Sequence, residues 1–280
     1  MRTAIVTDST AYLTQEELQQ YGIHSVPLTV NIEGQLYDEG IDLSYTEFYD
    51  KVRGAKEFPK TTQPPIGKFV ELFETLAKDY DAVITIHLSS GISGTYEGAL
   101  QAGQMVEGID VHGFDTEAAA ALQGFFVLRA AELAQQGKSP EEILVALEEL
   151  RESSHAYIIV DDLGHLQRGG RLSVASALIG GLLQVKPILH FMDKKIAPYE
   201  KVRTRKKALK RVEELLAIEV EKYNTMNVAI IHANCEQEAQ GIMEGLQQQY
   251  PHVNFKLSYF GPVIGTHLGE GSIAFGWCKA

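Results

Sequence analysis

Short β-branched runs alternate along the first half of the chain with longer stretches in which apolar residues recur every three or four positions. This alternation predicts β-α units wound around a largely parallel sheet. Thr3 to Thr7 is the first expected strand, followed by a helix from about Thr14 to Tyr21, an extended run at Ser25 to Asn31, and a hairpin through Glu33 and Gly34. Ser44 with Glu47 has the spacing of a capping box and opens a helix running to about Arg53. After a loop through Pro59 to Pro65, Phe69, Leu72, Phe73 and Leu76 fall on one helical face. Ala82 to Leu88 then has the unbroken apolar character of a buried strand, and the segment SSGISGTYEGA beginning at Ser89 turns on glycines into another helix.

Further along, a short strand near Val111 to Phe114 precedes an alanine-rich helix across Ala118 to Gln136 and a second helix capped at Ser139. The second half opens with an apolar strand, Ala156 to Val160. It continues through a glycine-rich segment, a strand pair containing proline, a basic helix and a closing strand-helix-strand pattern. The pattern predicts two packed α/β domains, residues 1–155 and 156–280, and 280 residues suffice for both.

Composition narrows the function. Hydrophobic residues at 45% and charged residues at 22% are the balance of a globular protein. A formal net charge of -12 opposes general binding to nucleic acid or to anionic membranes, both of which select a basic excess. The two cysteines, Cys235 and Cys278, lie too far apart in sequence for a zinc or redox motif and are expected as free thiols. The first residues, MRTAIVTDST, resemble a buried strand more than a secretion signal. The most apolar later stretch, Ala175 to Phe191, is interrupted by Gly180, Gly181, Gln184, Lys186 and Pro187 and is too broken to span a bilayer. A cytoplasmic location is expected.

Five segments hold chemistry-bearing residues. The strand-to-helix turn from Ser89 to Thr95 has the glycines and helix start of an anion cradle, and equally those of a polar cap. It matches neither the phosphate loop of nucleotide-binding proteins nor the nucleophile elbow of esterases. Lys60-Thr61-Thr62-Gln63-Pro64-Pro65 places two hydroxyls before a rigid proline turn. His267 lies among glycines in the segment Gly261 to Gly269, and Arg171 lies in the segment Leu166 to Leu172. Seven cations between Lys201 and Arg211 form either a solvated helix face or a docking surface for an acidic partner or phosphate. A serine esterase or thioesterase built from Ser93, His267 and an aspartate such as Asp8 stays open, because such triads are defined by geometry. A DNA-binding role for the basic cluster is a third reading, opposed by the acidic total. No spacing typical of a metal site is present.

In order along the chain, VTDST, TTQP, LSSGISGTY, GGR, KVR and GTHLGEGSIAFG resemble the motifs of the DegV family over nearly the whole length. The resemblance implies a two-domain α/β fold with one long-chain fatty acid held between the domains and no other cofactor or metal. It implies that the carboxyl is bound by Thr61, Ser93 and His267, with Thr62 and the Gly94 amide assisting. Arg171 and Arg203 match basic positions near the carboxyl end and a partner interface. The implied partner is the catalytic subunit of a fatty acid kinase, which phosphorylates the presented carboxylate for phospholipid synthesis. Transient membrane contact for lipid exchange fits the same role, and the chain itself is not expected to be catalytic. Two departures stand out, Thr62 where serine is commoner and Glu270 where proline is commoner. Ile179, Leu182 and Leu183 are candidates for the tunnel wall.

Overall fold

The protein is known from a computed structural model that describes residues 2–172 and 186–280. Ile179, Leu182 and Leu183 therefore lie outside the described residues. The first half contains β1 (Thr3–Asp8), a 3-10 turn (Ser9–Ala11), α1 (Gln15–Tyr21), β2 (Ile23–Val26), β3 (Thr29–Ile32), β4 (Gln35–Asp38) and α2 (Tyr45–Gly54). There follow β5 (Lys60–Thr62), α3 (Ile66–Leu76), β6 (Ala82–His87), α4 (Thr95–Gly103), β7 (Asp110–Asp115), α5 (Ala120–Gln135) and α6 (Pro140–Glu152).

Strands β2-β1-β6-β7 form a parallel sheet in that order. Alternation along β1 and β6 explains its two covers: Ala4, Val6 and Val83 pack on α3 and α4, while Ile5, Ile84 and Ile86 pack on α5 and α6. The Ser44 and Ser139 capping boxes form as the spacing predicts. The extended run expected from Ser25 to Asn31 is instead two strands in different sheets. Pro27, which has no N–H to give a ladder, lies at the break. β3 turns at Glu33 and Gly34, both with positive φ, into antiparallel β4. The expected loop before Pro65 contains β5, which pairs with the other side of β3 to complete a three-stranded sheet.

The second half contains β8 (His155–Ile159), α7 (Gly164–Arg168), β9 (Lys186–Met192), β10 (Lys195–Val202), α8 (Arg205–Val220), β11 (Met226–His232), α9 (Glu236–Gln249), β12 (Asn254–Tyr259), α10 (Pro262–Leu268) and β13 (Ile273–Lys279). Six of these strands form one mixed sheet, β10-β9-β8-β13-β11-β12. Pro198 lies on β10, an edge strand, where its missing donor costs no ladder bond, and the register shifts just after it. One face of the sheet buries Ile159, Ile188, Val228, Ile230, Phe275 and Trp277 beneath α8 and α9. The opposite face presents Ile158, Ala229, Ile231 and Ala274 to a core shared with Tyr12, Val30 and Tyr49 of the first half. The cavity described next lies within that shared core. No helix among the described residues is long and apolar enough to cross a membrane.

Candidate functional site

A cavity of about 280 Å³ opens between the two halves, and its lining divides sharply by chemistry. Polar groups from Thr61, Thr62, Gln63, Ser93, Arg171 and His267 meet at one part, while the rest of the wall is apolar, including Ile158, Ile231, Val263 and Ile264.

Each polar side chain is placed by local structure. Thr61 pairs with buried Val30 across the β3-β5 ladder, so it shares the inward face while Thr62 is exposed at the rim. The segment around His267, where the sequence places a histidine among glycines, folds as α10, with Pro262 in the first turn. Its last turn presents His267, which is 9% exposed and shares a 2.8 Å hydrogen bond between Nε2 and Thr61 Oγ1. The other ring nitrogen, Nδ1, is buried with no hydrogen-bond partner among the described residues. Burial, then the positive charge of Arg171, then His165 push the imidazole down to about 4, so it is neutral near pH 7. Gly169 packs directly on this ring, and a β-carbon there would overlap Nδ1. Arg171 is held over the cavity by hydrogen bonds to the carbonyls of Ile92 (3.2 Å) and Gly169 (2.6 Å).

Ser93 precedes α4, where its Oγ accepts from Thr95 N–H at 3.3 Å and shares a 2.9 Å hydrogen bond with Thr95 Oγ1. The amide side chain of Gln63 fills the space above Gly94, so any side chain at residue 94 would displace it. The whole turn is fastened to the β9-β10 hairpin. Ser89 Oγ donates to Lys194 O at 2.6 Å, Gly91 lies against the same carbonyl, and Ser90 Oγ donates to Asp115, which pairs with Lys194 at 3.0 Å. The arrangement joins neutral donors and one guanidinium at the end of an apolar space, the chemistry of a site for a carboxyl group carrying a long hydrocarbon.

The hydrolase arrangement is not assembled. Asp8, expected as a third triad member, is buried against His87 Nδ1 at 2.8 Å and also accepts from Thr10, Gln123 and the Leu88 N–H. Ser93 and His267 bond Thr95 and Thr61 respectively, with no hydrogen bond between them among the described residues. An imidazole with its basicity so reduced is also a weak general base at neutral pH.

A family described as an uncharacterised protein, DegV family, matches residues 2–280. The chain belongs to the DegV family. It is 55% identical over 279 residues to Protein DegV of Bacillus subtilis, covering 99% of both chains, and 48% identical to a DegV domain-containing protein of Listeria innocua, covering 99% and 98%. Among solved structures it is similar to DegV, a fatty acid binding protein from Bacillus subtilis, with a TM-score of 0.96, 54% identity and 100% of both chains covered. A DegV family protein from Thermus thermophilus, described for its fatty acid binding, matches with a TM-score of 0.93 and 32% identity over 100% of both chains. A fatty acid binding DegV family protein from Streptococcus agalactiae matches with a TM-score of 0.93 and 35% identity, covering 100% and 99%.

Within this DegV chain, Thr61, Thr62, Ser93, Gly94, Arg171 and His267 all line one cavity. Arg203 does not. It is exposed just beyond β10 and makes no ion pair among the described residues. Two members of the basic cluster are neutralised at the surface, Arg205 by Glu238 and Asp161 and Arg211 by Glu200 and Glu214. Glu270 pairs with Arg53 of α2 and accepts from Asn234 at 2.7 Å, fastening the turn after α10 by charge. No group of three or more metal-ligating side chains occurs among the described residues.

Sequence reasoning missed the small-residue walls: Ala119, Ala120, Ala156, Ala274 and Gly276 all line the cavity. The run of four alanines from Ala118 to Ala121 was the available signal, because small side chains at a strand-to-helix junction leave unfilled volume. Ala120 adopts φ 58, a left-handed angle seldom taken by residues other than glycine, at the point where α5 meets the cavity.

Proposed function

We propose that this chain encloses one long-chain fatty acid and presents its carboxyl group to the catalytic subunit of a fatty acid kinase. The partner supplies the ATP chemistry, and the acyl phosphate enters phospholipid synthesis in the cytoplasm. The observation carrying this reading is the division of one cavity into an apolar majority and a polar end formed by Thr61, Ser93, Arg171 and His267. Thr62 and the Gly94 amide lie at the same end and assist the head group. Arg203, exposed outside the cavity, is assigned to partner docking.

The energetics match a carrier. Each buried methylene contributes about 0.8 kcal/mol, so a tail of about fifteen gains on the order of 12 kcal/mol before ordering costs. Burying a carboxylate costs several kcal/mol, and each hydrogen bond to it returns about 1.5–3 kcal/mol, so three donors roughly offset the desolvation. The tail therefore holds the ligand and the polar end orients it.

Native mass spectrometry of the purified chain, with solvent extraction of the bound molecule, tests this reading. One fatty acid per chain is expected, and acyl phosphate should form with ATP only when the kinase subunit is added. A chain that is empty and takes up no added fatty acid would overturn the carrier assignment, and acyl phosphate made without the partner would overturn the division of labour.

A further inference from the structure

Thr95 opens α4, is fully buried and does not line the cavity. Its N–H and its hydroxyl both meet Ser93 Oγ, at 3.3 and 2.9 Å, and Thr95 Oγ1 has no other hydrogen-bond partner among the described residues. By distance alone the contact between the two hydroxyls could run either way, and burial decides its direction. Were Ser93 to donate, the Thr95 hydroxyl proton would be left in the core with no acceptor. With Thr95 donating, that proton is satisfied and Ser93 Oγ accepts two hydrogen bonds, which fills both of its lone pairs. The Ser93 proton is then free to turn toward the cavity that Ser93 lines.

The second hydroxyl at the polar end is set in the same sense. A neutral imidazole carries one N–H, and Nδ1 of His267, packed on Gly169, has no acceptor among the described residues. A buried N–H without a partner is rarer than a bare lone pair, so the proton belongs on Nε2. It is donated to Thr61 Oγ1 at 2.8 Å, which leaves the Thr61 proton for the head group. Behind each of these two cavity-lining hydroxyls, a buried residue therefore leaves the hydroxyl with a proton to give.

We propose that Thr95 is a positioning residue for the head group: by donating to Ser93 it makes the Ser93 hydroxyl an obligatory donor. With His267 acting likewise through Thr61, the pocket is tuned to a head group that only accepts hydrogen bonds. The inference rests on the carrier reading and adds to it a basis for choosing an ionised carboxylate over an uncharged lipid of the same length. A carboxylate offers acceptors and no proton of its own. A fatty alcohol brings a proton that finds the lone pairs of Ser93 already filled. Arg171 also favours the carboxylate, by charge, but that contribution is common to the parent protein and to variants at residue 95 and cancels when they are compared.

The test offers palmitate and hexadecanol to the full chain, singly and in competition, and reads the bound species by native mass spectrometry. Thr95→Val keeps the side-chain shape and the backbone N–H and removes only the hydroxyl. One lone pair of Ser93 is thereby released, so hexadecanol should bind about tenfold more tightly than it does to the parent, the worth of one hydrogen bond. The preference for palmitate should fall by at least that factor, and Thr95→Ser, which keeps the hydroxyl, should restore it. A merely structural defect would weaken both lipids together, so the absolute gain for the alcohol is the distinguishing result. A Thr95→Val protein with the parent's preference, or with equal loss of both lipids, would overturn the role of Thr95. A parent that binds hexadecanol as well as palmitate would overturn the donor assignment whether or not the variants fold, and would leave the carrier reading intact. A parent that takes up neither lipid would sink the carrier reading itself.

Discussion

A buried titratable group lies at each end of helix α10, and the two are displaced in opposite directions. At its start, Glu39 is 3% exposed and accepts from Ser9 Oγ at 2.6 Å, Val263 N–H at 2.8 Å and Tyr12 OH at 3.1 Å. Burial outweighs these hydrogen bonds and raises its carboxyl from the usual 4.5 to about 7. At its end, burial lowers His267 from 6.5 to about 4. Between these limits folded Glu39 keeps a proton that the unfolded chain has lost, so its contribution to stability falls as pH rises, by about 1.4 kcal/mol per unit and roughly 3 kcal/mol in all. Folded His267 lacks a proton that the unfolded chain holds, so its contribution is complete above 6.5 and is lost, again by roughly 3 kcal/mol, as pH falls toward 4. From about 4.5 to 6.5 the two slopes cancel. Glu39→Gln removes only the first. The stability of the parent protein minus that of the variant should therefore fall by about 3 kcal/mol from pH 4.5 to above 7, as all groups common to both cancel. Urea unfolding followed by circular dichroism across that range measures it. A difference independent of pH would show that Glu39 titrates as an ordinary surface carboxyl and would refute the argument.

Ser93→Ala removes one donor to the head group and should weaken fatty-acid binding by about ten- to a hundredfold, leaving lipid bound on purification but acyl-phosphate formation with the kinase strongly reduced. Loss of all copurified lipid would contradict the assignment of affinity to the tail. Ala274→Phe puts a ring into the acyl space and should abolish copurified lipid, with a stability change within about 3 kcal/mol, checked by extraction and thermal melting. Solvent delipidation should lower the melting temperature by on the order of 10 °C, since an unfilled cavity of 280 Å³ costs up to about 7 kcal/mol at ~24 cal/mol per Å³. An unchanged melt after confirmed lipid removal would argue against a filled cavity.

Local rules made much of this fold legible. The Ser44 and Ser139 capping boxes, the Glu33-Gly34 turn and the Phe69-Phe73-Leu76 stripe all follow from spacing within a few residues, and the structure shows each of them. The places where local reading stopped are those where distant partners decide. β5 is only three residues long and exists because β3 offers it an edge. α10 contains Gly265 and the β-branched Val263, Ile264 and Thr266, yet it is helical because it is buried along its whole length and capped by Glu39 from the first half. The site motifs could be seen as separate polar turns. Their convergence depends on contacts such as Thr61 to His267, separated by 206 positions, which no window of sequence contains.

Among the apolar residues that line the cavity, Ala119, Ala120, Ala156, Ala274 and Gly276 are small. Its capacity therefore resides in mass that is missing from many positions, each one substitution away from a larger side chain. Such a container is easily retuned over evolution. Exchanges of a methyl or two can bend, shorten or widen the space while the hydroxyls and the imidazole stay as they are. Copies of such a fold can differ in the shape of the space they enclose without any change to the polar end that faces it.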